Sequence, residues 1–550
     1  MNKATEVAGK IIGQVLVASI LAALGQAAPS HAQTTFTRIG SGPVATSTGA
    51  TGGAWGDFNN DGWLDLFVTL NGGTTSVLYT NNGSGSFAVD NAAGIGAGTG
   101  SSWGAAWGDY NNDGNLDLVG SVYGSGNNYL LRNNGNGTFT RITTDPIVMN
   151  GPSGNNAVWA DYDNDGFPDA FFAGSPSLLF HNNGDGSFTK QTSSIVVIDR
   201  GGQGCSWGDY DNDGFPDLFV TRVNQPNLLY HNNRDGTFAR MTNAPFATDT
   251  AVSQGCSWGD YDNDGMLDLV VCNNNAKNFL YHNNGNGSFT KITTNAISTV
   301  IASSSGSAWG DYDNDGYLDL FIAVRGGNNL LFHNNGNGTF TKVTGVSPVN
   351  LSGTWIGGAW GDFNNDGFLD LFVSNQNGIN ALYRNDGNTN NWLTIQCLGR
   401  ISNRAAIGAK VRIKATVGGK AMWQVRDISG GGGLACQNDL RAHFGLGDAT
   451  NVEALRIEWP SGIVQELTNV APRQFLVVKE PSKLAGELQT QTRQFLVTLT
   501  GGKGLVYRME QSTDLVAWTS LADLTNQTGT VVWTNQWPAS NLPVFFRASE

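Results

Sequence analysis

Asp57-Phe-Asn-Asn-Asp-Gly-Trp-Leu-Asp65 recurs along the chain in seven versions. The later copies run from Asp109 to Asp117, Asp161 to Asp169, Asp209 to Asp217, Asp260 to Asp268, Asp311 to Asp319 and Asp362 to Asp370. Their first aspartates stand 52, 52, 48, 51, 51 and 51 residues apart. A period near fifty signals one supersecondary unit repeated in a stack or a ring.

The loop gathers oxygens at its positions 1, 3, 5 and 9. These are Asp57, Asn59, Asp61 and Asp65 in the first copy, and Asp109, Asn111, Asp113 and Asp117 in the second. The third offers Asp161, Asp163, Asp165 and Asp169, and the fourth Asp209, Asp211, Asp213 and Asp217. Asp260, Asp262, Asp264 and Asp268 follow, then Asp311, Asp313, Asp315 and Asp319, and last Asp362, Asn364, Asp366 and Asp370. Position 6 is always glycine (Gly62 in the first copy), where the chain must turn back around an ion. A hard cation with loose oxygen geometry fits this pattern, so the expected cofactor is Ca2+, up to seven ions, one per repeat. The first six positions match an EF-hand. Position 12 is apolar or glycine, as at Val68 and Gly120, and a buried strand follows instead of a helix. A run of metal-free Asn/Asp/Gly hairpin turns is the competing reading; seven copies with the same ligand positions weigh against it.

Charge agrees. The chain is formally −14, and removing the two lysines and one glutamate of residues 1–32 leaves −15. Of 45 acidic residues, 25 lie in the seven loops, so seven dications would bring the remainder near neutrality. An acidic chain of this kind excludes nucleic acid as the expected partner. Residues 1–32 read as a secretory signal, with Lys3 and Lys10, an apolar run from Ile11 to Leu24 and Ser30-His-Ala32 before cleavage. That run is too short to span a bilayer, and no other transmembrane candidate occurs. The expected location is secreted, cell-surface or periplasmic. The cysteine number is five; Cys205, Cys256 and Cys272 read as buried small residues, while Cys397 and Cys436 could pair.

Each unit reads as four short strands. A small-residue strand ends in Trp-Gly-Asp (Trp-Ala-Asp in the third unit), and an apolar strand follows the loop. A third strand such as Asn329 to His333 then leads through an Asn/Gly turn to a fourth, Thr339 to Val343. Trp55, Trp107, Trp159, Trp207, Trp258, Trp309 and Trp360 stand two residues before each loop. They are expected to wedge between neighbouring sheets; stacking on carbohydrate is the alternative role. The seventh unit lacks its fourth strand, and Phe36-Thr-Arg-Ile39 at the start of the mature chain repeats Phe139-Thr-Arg-Ile142. That strand would close a ring. The expected fold is all-β: a seven-bladed β-propeller over residues 33–390, followed by further β-rich modules.

The repeats resemble the FG-GAP/VCBS family, whose blades in integrin α-subunits carry similar calcium loops. The next segment resembles the ASPIC/UnbV module of the cartilage acidic protein family and its bacterial relatives. Its matching residues are Asn391-Trp-Leu393, Ser402-Asn-Arg404, Ile407-Gly408, Gln437-Asn-Asp439, His443-Phe-Gly-Leu-Gly447 and Trp459-Pro-Ser-Gly462. Cys436 departs from it, since serine is more usual there. The resemblance places an ASPIC/UnbV-like domain at 391–480; a polar linker is expected at 481–490 and a small β-module at 491–550.

No catalytic constellation emerges. His181, His231, His282 and His333 share one turn position, which Thr80, Arg132 and Arg384 occupy in the other repeats. His443 reads as a satisfied structural histidine. The expected function is an extracellular binding or adhesion protein, monomeric, holding a protein or glycan partner. An enzyme or enzyme accessory using the channel mouth is one alternative, and a structural envelope component another. The unrepeated connections Thr69 to Ser76, Val122 to Asn127, Arg222 to Gln225 and Val324 to Asn328 are the expected partner surface, with Arg222 and Arg325 at its centre.

Overall fold

Four strands pair antiparallel in chain order in the first repeat: Ala50–Gly56, Asp65–Leu70, Val77–Asn81 and Phe87–Val89. A computed structural model describes residues 34–549 apart from 74, 92–94, 96–100, 125, 150–153, 490–493, 503, 514–515 and 537–543. The signal expected over 1–32 lies outside the described residues. Five more four-stranded blades follow, with inner strands starting at Ser102, Gly154, Gly202, Thr250 and Ser304. The seventh blade has only three consecutive strands, Ser352–Gly361, Asp370–Asn375 and Ala381–Asn385. Its fourth is Phe36–Arg38, which pairs antiparallel with the third from Phe36 opposite Asn385 to Arg38 opposite Tyr383. Phe36–Arg38 thus completes the last blade, and the ring is closed.

Inner strands are rich in Gly, Ala and Ser because they converge on the axis. A Cβ on Gly255 would sit 2.8 Å from the Ser305 carbonyl of the next blade, and one on Gly306 would sit 2.9 Å from that of Ile356. Larger side chains there would push neighbouring blades apart.

The repeated tryptophans fill the blade interfaces, and burial removes the carbohydrate-stacking alternative. All are buried except Trp258, which is partly so. Trp107 stacks on Phe58 of the preceding blade at 6.2 Å and donates Nε1–H to the Ala54 carbonyl at 3.2 Å. Trp55 does the same with Phe363 and Ala359, which joins the first blade to the seventh. The glycine of Trp-Gly-Asp makes room for the next indole: a Cβ on Gly56 would lie 2.7 Å from Trp107. Only the third unit has alanine there, and its neighbour is the exception. Trp207, which follows Ala160, has no partner for its buried Nε1, whereas the other six indoles donate across the interface.

The connections from Arg222 to Gln225 and from Val324 to Asn328 are strands, not free loops. Val223 pairs with Val252 and Arg325 with Thr354, so each forms a ribbon to the next blade. The arginines are engaged as well: Arg222 Nε donates to Pro226 O at 2.7 Å, and Arg325 lies 5.9 Å over the Trp103 ring. Extended edges of neighbouring blades met here in a way that the glycines and asparagines of these segments did not signal.

Two sheets make the next domain, one ordered Ala442–Gly447, Asn391–Leu398, Gln474–Lys479 and the other Lys420–Asp427, Lys410–Val417, Val452–Glu458, Val464–Val470. Leu393, Val411, Ile413, Phe444, Leu455 and Ile457 are among its core. The domain caps the propeller on the side of the acidic loops and sends one segment, residues 428–439, into the central channel. There Trp159 N donates to Gly430 O at 2.9 Å, Gly433 N to Cys256 O at 2.8 Å, and Cys436–Gln437 adds a parallel strand to Gly53–Ala54. Gln437 holds both backbone groups of Trp107, accepting at 2.7 Å and donating at 3.0 Å. Four consecutive glycines let this plug fit, since a Cβ on Gly430 would lie 2.3 Å from Trp159 O.

Residues 481–490, expected as a linker, contain the strand Lys483–Gln489, which pairs with Gln494–Thr500. Its polar composition disguised an alternating strand. The remaining C-terminal strands complete two three-stranded sheets. All five cysteines are free and buried, so Cys397 and Cys436 are not paired.

Candidate functional site

Each acidic loop joins the innermost strand of a blade to the second. Asn60 and Gly62 take φ of 58° and 88°, and the other six copies repeat this left-handed pair. The glycine follows from the loop pattern; the role of the asparagine at position 4 emerges only from the structure. Its side chain ties the ring together: Asn60 Nδ2 donates to Gly114 O of the next blade at 3.1 Å, Asn112 to Gly166 O at 2.7 Å, and so on to Asn365, which donates to Gly62 O at 2.9 Å. A second belt runs beneath it. The turn asparagine Asn133 donates to Phe58 O of the preceding blade at 2.7 Å while its own N–H donates to Asp117 Oδ1 at 2.7 Å.

Backbone N–H groups shape the carboxylates. Asp61 N donates to Asp57 Oδ1 at 3.0 Å, Gly62 N to Asp57 Oδ2 at 2.9 Å and Trp63 N to Asp61 Oδ1 at 2.9 Å. In the third loop one oxygen from each of Asp161, Asp163 and Asp169 lies within 4.8 Å of the others. Asp65 Oδ2, Asp161 Oδ1, Asp163 Oδ1, Asp262 Oδ1 and Asp313 Oδ1 are buried with no hydrogen-bond partner. Burial, reinforced by Asp61 and Asp57, pushes Asp65 up to about 8, and burial with Asp268 and Asp264 does the same for Asp260. Buried carboxylates this crowded lack a counter-charge, and a hard dication supplies one. The residues present therefore fit calcium: positions 1, 3, 5 and 9 are the side chains that would hold it.

The histidine turn position lies closer to this chemistry than a plain turn. His181 Nδ1 lies 3.3 Å from Asp163 Oδ2 and 3.2 Å from Asp169 Oδ1, and His231, His282 and His333 repeat the arrangement. The Asp169 carboxylate beside it raises His181 to about 9. Histidine occurs only where position 3 is aspartate; where it is Asn59, Asn111 or Asn364, the turn carries Thr80, Arg132 or Arg384. That pairing was present in the sequence, as a correlation across a separation of 18 to 21 residues.

The cap touches these loops directly. Lys410 Nζ contacts Asp209 Oδ2 at 3.0 Å and also reaches Asn212. Arg404 N donates to Asn112 Oδ1 at 2.7 Å, Gly445 N to Asp311 Oδ2 at 3.1 Å, and Arg441 to Asn365 Oδ1 at 3.1 Å. His443 is satisfied and structural, with Nδ1 3.0 Å from Thr394 Oγ1 and Nε2 2.7 Å from Asn314 Oδ1. The cap thus reaches the position-1 carboxylates Asp209 and Asp311 as well as the position-4 asparagines Asn112 and Asn365.

Two family models match, in the order of the repeats and the cap. The FG-GAP-like repeat family matches residues 57–120, 119–172, 171–220, 209–271, 260–322 and 311–373, and the ASPIC and UnbV family matches 399–485. Cartilage acidic protein 1 of Mus musculus is 32% identical over 232 residues, which cover 38% of this chain and 34% of that protein. The Homo sapiens protein of the same name is 31% identical over 232 residues, covering 38% and 33%. The match therefore spans about a third of the length of these relatives. Among solved structures, the BP39L lectin from Burkholderia pseudomallei is 13% identical with a TM-score of 0.44, covering 62% of this chain and 98% of the lectin. Saccharomyces cerevisiae Sqt1 is 14% identical with a TM-score of 0.40, covering 64% and 99%.

Proposed function

The chain belongs to the FG-GAP-like repeat family, and on that premise we propose that it is an extracellular calcium-binding propeller that holds a protein or glycan partner and does not transform it. The observation that carries the calcium part of this reading is the set of buried, unpartnered carboxylate oxygens in the repeated loops. Extracellular calcium modules work at about 10⁻⁴–10⁻³ M, so even weak loops fill outside a cell. Among the described residues no helix is long and apolar enough to cross a membrane. The enzyme alternative relied on an open channel mouth, and residues 428–439 fill the channel from the side of the loops, which weighs against it.

The reading is tested with the mature chain stripped of metal. Calorimetric titration should find tight stoichiometry of up to seven calcium ions, and capture from arrays of surface glycans and secreted proteins should require calcium. Turnover of any captured compound, abolished by one substitution outside the loops, would show the binding reading to be wrong.

A further inference from the structure

The cap does not cover the ring evenly. Its hydrogen bonds reach the second, third, fourth, fifth, sixth and seventh loops. Among the described residues none reaches the first. Over that loop the cap stands back and leaves a cleft of about 600 Å³, a size that suits a small ligand. Asp57, Asn60 and Gly62 form its floor, and Leu398, Phe475 and Val477 of the cap form an apolar wall. Phe475 is 37% exposed and Val477 51%, unusual for large apolar side chains on one strand beside a concave surface.

Arg404 stands at the edge of this cleft. Its guanidinium donates to Gly399 O at 3.2 Å; it feels the Asp109 carboxylate across the cleft, but among the described residues no hydrogen bond or ion pair ties it to a carboxylate. Arg441, the other cation of the lining, is already paired with Asp439 at 2.6 Å. The loops that border the cleft are also the least acidic on this face. Loops one, two and seven have asparagine at position 3, so each carries three carboxylates where the other four carry four. With a dication bound, each of these three retains one negative charge and each of the others two.

We propose that this cleft binds a small organic acid, one carboxylate on an apolar stem, with Arg404 taking the carboxylate and Phe475 and Val477 taking the stem. A planar guanidinium fork matches a carboxylate bidentately, which a neutral head group does not reproduce. The assignment goes beyond the calcium reading and rests on it for charge balance, because ions in the first two loops offset Asp57 and Asp109, which otherwise face the anion.

Octanoate is a suitable probe, with octanamide and octylamine as neutral and cationic counterparts. Calorimetry on the full mature chain in saturating calcium should show octanoate binding at least tenfold tighter than either. Arg404→Gln should weaken it at least tenfold, and Val477→Asp, at a half-exposed position that opens no core, should do the same. Both variants should keep the calcium-dependent melt of the parent chain. Octanamide binding as well as octanoate, or octanoate binding unchanged in both variants, overturns the assignment. The calcium shift of the parent chain reads the loops separately, so its absence would sink the calcium reading while octanoate still decided the cleft.

Discussion

Replacing Gly108 with alanine is expected to destabilise the propeller by about 1–3 kcal/mol, the usual penalty for forcing extra volume into a packed interface. A Cβ there would come within 2.8 Å of Trp159. Ala160→Gly should be close to neutral. Freed space would let Trp207 regain a hydrogen bond worth about 1 kcal/mol, against about 0.5–1 kcal/mol of added glycine entropy. Thermal melts of the two variants check the asymmetry. At His443 the expectation concerns pH. Burial, then Arg426 and Arg441, hold this imidazole down at about 3, while an unfolded histidine titrates near 6.5. Below that value the unfolded chain gains a proton that the folded one refuses. The contribution of this residue is therefore complete above about pH 6.5 and lost progressively as the pH falls toward 3, amounting to about 2 kcal/mol at pH 5. His443→Gln should lose correspondingly less stability than the parent between pH 7 and 5, measured by urea unfolding.

At the scale of elements, the strand Phe36–Arg38 and the plug carry the sharpest expectations. A chain beginning at Ser41 exposes the edge of Ala381–Asn385 and should melt lower or aggregate through that edge; equal melting would mean that the ring does not need this strand. Gly430→Val should expel the plug, because even a Cβ would meet Trp159 O at 2.3 Å. Faster proteolysis in the connection 386–390 is the readout. The closing strand was legible because Phe36 to Ile39 copies a repeat sequence word for word, and the tryptophan wedge because it recurs at one place per blade. The asparagine belts were not: the partners of Asn60 and Asn133 are backbone carbonyls 54 and 75 residues away, and a carbonyl has no letter in a sequence. The plug was hidden for a different reason. Gly430 to Gly433 is conspicuous, but its contacts with Trp159 and Cys256 follow no period.

The whole molecule should depend on calcium. One site at tenfold excess over its dissociation constant contributes about 1.4 kcal/mol, so seven independent sites approach about 10 kcal/mol, comparable with the stability of a typical domain. Melts in calcium and in excess chelator should differ accordingly, and identical midpoints would remove the loops from the account of stability. The ribbons that join blades four and five, and six and seven, set a pattern to look for: partial unfolding in chelator should spread as groups of blades.

Ring closure also fixes a timetable. Phe36 and Asn385 are paired neighbours in space, yet 349 residues of chain separate them, and the plug that fills the channel lies further along still. The strand Phe36–Arg38 leaves the ribosome before the last blade and must wait, unpaired, for it. Contacts of such long sequence separation form slowly. For a chain exported through a membrane, the ring can be completed only once the residues through Asn385 have crossed, and that is also where calcium is plentiful. If the chain is exported and binds calcium as proposed, assembly and ion loading become one event, on the far side of the membrane.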